Sequence, residues 1–254
     1  MTRAGVPLLC RLRPQVRTMS KKQEPETDGP GPHASLWRDA KMEYRSDIVP
    51  IRRMGAAFRP QIAIHLLSLD ERDRYLRFGY AASDQQVRGY VDGIHYERDQ
   101  LYGIFNRKLR LIAMAHLAQM EDNGPIKSAE FGVSVLKHAR GRGYGALLFE
   151  RAATHAVNSG IDRLYIYALS ENLVMLHIAQ KAGAVIEHMG GESEACVRLP
   201  EPTFRSMLEE RLSSHVGYVD YWLKAEAHAL RNRFSGKKMD TQDHDTVVRD
   251  PDSD

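Results

Sequence analysis

One stretch limits what this chain can fold into more than any other: "HARGRGYGALLF" at residues 138–149. Glycines stand at 141, 143 and 145, arginines at 140 and 142, and an apolar run follows directly. An alternating segment, "SAEFGVSVLK", precedes it and reads as a strand. A glycine-rich passage from strand to helix belongs to layered α/β architectures, where backbone N–H groups at a helix start meet an anion.

The flanking sequence supplies the layers. "DIVPIRRM" is a short strand candidate. "RPQIAIHLLSLDERDRYLRFG" follows, with Ile62, Leu66, Leu69, Tyr75, Leu76 and Phe78 at roughly helical spacing and Pro60 at its start. "SDQQVRGYVDGI" predicts a second helix, capped by Ser83, with Val87, Tyr90, Val91 and Ile94 on one side. "QLYGIFN" and "RLIAMAHLAQM" read as strands around the turn "NRKL", with another turn at "NGP" before the alternating segment. "GALLFERAATHAVNSG" predicts a helix with Leu147, Leu148, Ala152 and Ala156 inward. "DRLYIYAL" is a strand, "NLVMLHIAQKAG" a helix, and "AVIEHM" with "EACVRL" a hairpin around "GGES". The expected fold is α/β, a mixed and mostly antiparallel sheet of six to seven strands with helices on both faces.

Around this domain, at 47–199, residues 1–46 read as a polar, flexible leader with "ETDGPGPHAS" at its centre. The first nineteen residues carry arginines and no acids; they fit a transit peptide or an extension upstream of a start at Met19. Residues 200–234 predict a long amphipathic helix, with Leu208, Leu212, Val216, Val219, Leu223, Leu230 and Phe234 recurring at three, four or seven. Tyr221 and Trp222 read as packing residues on it, and the helix either covers the sheet or pairs with a second subunit as a homodimer. Residues 235–254 read as a disordered, charged tail.

Four readings compete for the glycine loop. A nucleoside-triphosphate loop needs Lys and Ser/Thr after its last glycine; Ala146 and Leu147 stand there, which excludes it. Gly141, Gly143 and Ala146 satisfy a dinucleotide fingerprint, but the acid that should follow its next strand is missing, since Asp162 precedes that strand. A plain structural turn is the third. The fourth is a metal-free pyrophosphate clamp: helix-start N–H groups converge on the anion, glycines admit it, and Arg140 and Arg142 supply charge.

Arg140-x-x-Gly143-x-Gly145 after a strand resembles the R/Q-x-x-G-x-G/A motif of the GNAT superfamily of acetyl-CoA-dependent N-acetyltransferases. "ENLVMLHIAQKAGA" resembles that superfamily's next motif, with Asn172, Lys181 and Gly183 in register, and the element order fits the GNAT fold. "AEFGVSV", Met175, Ala179 and "DRYLRFG" look like the acetyltransferase domain of bacterial Pat-type protein lysine acetyltransferases, here in a short stand-alone form. The resemblance implies acetyl-CoA as co-substrate. Arg140, Gly141, Arg142, Gly143, Tyr144, Gly145, Ala146 and Asn172 would bind it, and backbone N–H groups at Val133 and Val135 would hold its pantetheine and polarise the thioester.

Acetyl transfer to an amine needs a base, because a lysine-like amine is mostly protonated at neutral pH. Glu130 is the candidate: it shares a strand face with Gly132 and Ser134, and the Pat-type resemblance makes this glutamate the general base. A surface glutamate is the plain alternative. Many superfamily members protonate the leaving thiolate with a tyrosine where this chain has Ala179, so the acid stays unassigned among water, Tyr144, Tyr165 and Tyr167. No cysteine lies near the motifs, which argues for direct attack in a ternary complex. The acceptor is a protein lysine or a small amine, and a non-catalytic acyl-CoA-binding regulator is the rival.

Bulk properties narrow the classes. A net charge of +3 with Lys and Arg dispersed gives no indication of nucleic acid, and no apolar run reaches the length of a membrane span. Two cysteines, Cys10 and Cys196, suit a reducing compartment and a cytoplasmic protein, and the Pat-type resemblance implies a bacterial one. His138, His155, His177 and His188 lack ligand spacing, so no metal is expected.

Overall fold

The computed structural model describes residues 49–120 and 125–204, together with Met207, Glu210, Asp220, Tyr221 and residues 223–226. Its strands are β1 (Arg52–Met54), β2 (Gln100–Phe105), β3 (Leu111–Gln119), β4 (Ser128–Val135), β5 (Arg163–Leu169), β6 (Val185–Met189) and β7 (Glu192–Arg198). They form one sheet in the order β1-β2-β3-β4-β5-β7-β6. Every neighbouring pair is antiparallel except β4 and β5. The expected mixed, mostly antiparallel sheet is therefore present with seven strands.

Helices cover both faces. α1 (Arg59–Leu67), α2 (Glu71–Phe78) and α3 (Asp84–Asp92) lie before β2; α4 (Tyr144–Asn158) follows β4 and α5 (Leu173–Lys181) follows β5. One core gathers Ile62, Leu66, Phe78, Val87 and Val91 from α1 to α3 against Leu101 and Met114. The other packs Leu148, Phe149, Ala152, Ala156 and Leu176 from α4 and α5 against Ala115, Phe131, Leu164 and Ile166. β3 is buried on both faces, so its sequence runs apolar almost without alternation.

The single helix expected over 59–79 is two. Asp70 takes an extended conformation, and its side chain accepts the Asp73 N–H, starting a new helix. Ser68 Oγ donates to the Ile64 carbonyl at 2.6 Å, closing the previous turn. The apolar spacing ran on through the break because a cap resets direction without removing apolar residues. On α4, Leu147 is only half-buried, while Phe149, Arg151 and Ala153 join the inward set.

In the C-terminal segment, Phe204, Met207, Glu210, Asp220, Tyr221 and residues 223–226 are helical. Glu210, Tyr221 and Lys224 of this segment contact the same chain. The Tyr221 ring meets Phe105 and Phe58 at 5.0 and 5.6 Å, and the Arg52 guanidinium lies 3.9 Å over it. Glu210 accepts from His155 Nδ1 at 2.6 Å and from Asn158 Nδ2 at 2.7 Å. The leader, the "NGP" asparagine and glycine, Trp222, Leu208, Leu212, Val216, Val219, Leu230, Phe234 and the tail lie outside the described residues.

Candidate active site

The one parallel pair of strands makes the site. β4 and β5 are in register over Ser128–Arg163, Ala129–Leu164 and Glu130–Tyr165, and no further among the described residues. Yet β4 runs on to Val135 and β5 to Leu169. The strands diverge into a cleft with Glu130 at its apex. The bonds flanking the β3–β4 ladder, Met120 N–H to Ser128 O and Leu136 N–H to Ile112 O, fix its alternation. The N–H groups of Glu130, Gly132 and Ser134 face β3, that of Phe131 is spent on the last rung to β5, and those of Val133 and Val135 face the cleft.

The glycine loop lies at the open end. Gly141 and Gly143 have φ of +75° and +73°, left-handed values that glycine adopts without strain. Gly143 is the N-cap of α4 and brings no side chain to it. The N–H groups of Tyr144, Gly145 and Ala146 in the first turn thus have no intrahelical acceptor. Arg142 is exposed beside them. Gly145 has a second neighbour: a methyl there would lie 3.3 Å from Ile178 Cδ1 of α5. Asn172 caps α5 by accepting from Met175 N–H at 3.2 Å.

Arg140 is engaged within the protein. Its guanidinium pairs with the Asp73 carboxylate of α2, and Nε donates to the Val135 carbonyl at 3.3 Å. One residue earlier, Arg72 forms a two-pronged pair with Glu171 at 2.9 and 3.0 Å. The first turn of α2 is therefore tied to both banks of the cleft. A groove of about 1520 Å³ adjoins the loop, lined by Asp73, Lys137, Arg142 and Tyr144 and by the β2–β3 turn.

Glu130 is 3% exposed, among buried polar groups that sequence reasoning did not single out for chemistry. Arg77 Nη2 donates to Tyr90 Oη at 2.7 Å, and Tyr90 Oη lies 2.6 Å from His116 Nδ1. Because the phenol accepts from Arg77, it gives its own proton to His116. That leaves an N–H on Nε2, facing Asp99 Oδ2 at 3.2 Å in an oblique contact. Burial lowers His116 despite Asp99, keeping it neutral, and pushes Tyr90 up to about 12. Burial likewise lowers His65 to about 4, so its Nδ1–H donates to Leu111 O at 3.0 Å and Nε2 accepts from Ser134 Oγ at 2.8 Å. A polar residue inside an apolar run, His116 in "IAMAHLAQM", was the available signal.

Glu130, Val133, Val135 and the 140–146 loop thus lie consecutively along one bank, and Asn172 stands on the other, at the start of α5. A family model, the acetyltransferase (GNAT) domain, matches residues 51–185, just over half of the chain.

The chain belongs to the GNAT acetyltransferase family.

Several solved structures are similar to this chain. The GNAT domain of S. lividans PAT is 19% identical, with a TM-score of 0.51 over 59% of this chain and 89% of that one. The spermidine N-acetyltransferase of Vibrio cholerae, in complex with CoA and spermine, is 19% identical, with a TM-score of 0.44 over 57% and 91%. A GNAT-family acetyltransferase from Streptococcus pneumoniae is 16% identical, with a TM-score of 0.46 over 59% and 98%. No curated protein matches the sequence. In this GNAT domain, the motif residues Arg140 and Gly143 stand between β4 and α4, and Gly145 lies in the first turn of α4.

Proposed function

We propose that this chain is an acetyl-CoA-dependent N-acetyltransferase that moves the acetyl group to a primary amine by direct attack in a ternary complex. The observation that carries the reading is the cleft itself: a family fold split beside a buried carboxylate, with uncapped helix N–H groups at its open end.

The residues present fit acetyl-CoA. The strand edge at Val133 and Val135 offers N–H groups to an extended amide-bearing arm, as an added strand would use them. The left-handed glycines and the α4 start suit a pyrophosphate, with Arg142 beside them. Acetyl-CoA supplies the activated thioester. Glu130 would take a proton from the attacking amine, and the N–H groups of Val133 and Val135 would stabilise charge on the carbonyl oxygen. The Pat-type likeness favours a protein lysine as acceptor; a small amine fits the same chemistry.

One observation favours the rival. Ala179 is fully buried in α5, so nothing from that position reaches the cleft to protonate a thiolate. The test is thiol release from acetyl-CoA against a panel of amines and lysine-bearing proteins, with Glu130→Gln beside the wild type. We expect turnover with at least one acceptor, and a loss on the order of a hundredfold or more in Glu130→Gln with CoA binding retained. Binding without turnover on any acceptor would establish the regulator. An undiminished rate in Glu130→Gln would remove Glu130 as base and leave the enzyme standing.

A further inference from the structure

Arg77 is buried on α2 and lies flat against the sheet. A Cβ added at Gly132 would be 2.8, 2.9 and 3.0 Å from its Nη2, Cζ and Nη1. The guanidinium thus covers the α-carbon of a strand residue two places from Glu130, and the strand repeat sets the two same-face positions about 7 Å apart. That is within reach of two side chains extending toward each other. The Tyr90 hydroxyl, bonded to Arg77, feels the charge of Glu130 as well as those of Arg77 and Asp99.

Arg77 cannot rotate away without cost. Its bond to Tyr90 is backed by Tyr90 on His116 and by His116 against Asp99. Asp99 in turn accepts the backbone N–H groups of His95 and Gln119 at 3.2 and 3.3 Å. The donations from Arg77 to Tyr90 and from Tyr90 to His116 run one way, toward the Asp99 side, and such chains strengthen one another in a medium of low polarity. Tyr90 and His116 stay neutral, so the chain sets a fixed cation beside Gly132 and its balancing anion at the far end.

We propose that Arg77 is the positioning residue for Glu130: pinned against Gly132 by Tyr90, His116 and Asp99, its guanidinium holds the buried Glu130 side chain as a carboxylate. This rests on Glu130 being the base, and it explains how a carboxyl 3% exposed stays competent to accept a proton. Other titratable or charged groups on this side include Asp73 on α2, His65 on α1, Arg98 beside Asp99, and Tyr165 on β5. Asp73 is taken up by Arg140, and His65 by Leu111 and Ser134.

The test is the infrared titration of the full chain, comparing wild type, Glu130→Gln, Arg77→Gln, Arg77→Lys and Tyr90→Phe. The carbonyl band of a protonated buried carboxyl that is missing in Glu130→Gln reports Glu130 without any acceptor. Its midpoint is expected to rise by about one pH unit or more in Arg77→Gln, because the cation is gone, and by less in Arg77→Lys. Tyr90→Phe keeps the ring and releases the guanidinium, so it should raise the midpoint in the same direction. In any variant with turnover, the acid limb of kcat/KM should move with the midpoint. A midpoint unmoved in Arg77→Gln, or in Tyr90→Phe should Arg77→Gln fail to fold, would overturn the proposal. A purely structural Arg77 would lower Tm and leave the midpoint in place. Activity that survives in Glu130→Gln would instead dismiss Glu130 as base, a result separate from the titration.

Discussion

A methyl group at Gly132 would lie 2.8 Å from Arg77 Nη2. The guanidinium can give way only by leaving Tyr90, so Gly132→Ala is expected to cost about 1–3 kcal/mol, read as a lower Tm. His65 makes a second prediction at this scale. Unfolded, it titrates near 6.5; folded, burial lowers it to about 4. Between those values the unfolded chain holds more protons, so stability is full above pH 6.5 and falls as pH drops toward 4. The loss is on the order of 3 kcal/mol. His116 adds to it in the same direction. Urea midpoints across this range should slope steeply in wild type and less in His65→Gln. Residue by residue, the loop glycines at 141 and 143 were legible because their left-handed backbone conformation is specific to the residue type. Arg77, Tyr90 and His116 were not. Periodicity assigned Tyr90 to packing, and a buried cation cannot be told from a solvated one until α2 is laid over Gly132.

The strand–loop–helix element from β4 to α4 came through the sequence most completely. A turn with two left-handed positions can be built from few residues, and glycine at 141 and 143 announces it. Gly143→Ala should cost about 1–2 kcal/mol in the left-handed region and raise the KM for acetyl-CoA, measured by initial rates. Gly145→Ala should act elsewhere, since its methyl meets Ile178 Cδ1 at 3.3 Å and that side chain must give by a few tenths of an ångström. A small Tm change with the donor KM nearly kept would separate packing from binding. The joint between α1 and α2 was misread as continuous helix. "SLDER" does hold the signal, an aspartate followed by acids in a first turn, but apolar spacing outweighed it.

At the scale of the molecule, the C-terminal segment is held to α4 through Glu210. Burial pushes that carboxyl up, but bonds from His155 and Asn158 and the charge of Arg151 bring it down to about 2. Its contribution is present above pH 4.5 and is lost as pH falls toward 2. Glu210→Gln is expected to lower stability by about 1–2 kcal/mol at neutral pH, visible as a reduced Tm. The fold class was legible from element order. That the segment packs against this chain was not, because an amphipathic face specifies burial and not its partner. The divergence of β4 from β5 has a mechanical consequence. Strands β1 to β4 make one leaf and β5 to β7 another, stitched by three rungs. A donor seated as an extra strand would splint this hinge, so acetyl-CoA should raise Tm by a margin that grows with its concentration, about 2.7 kcal/mol at a hundred times Kd. An amine offered alone has no leaf edge to bridge and should leave Tm unchanged.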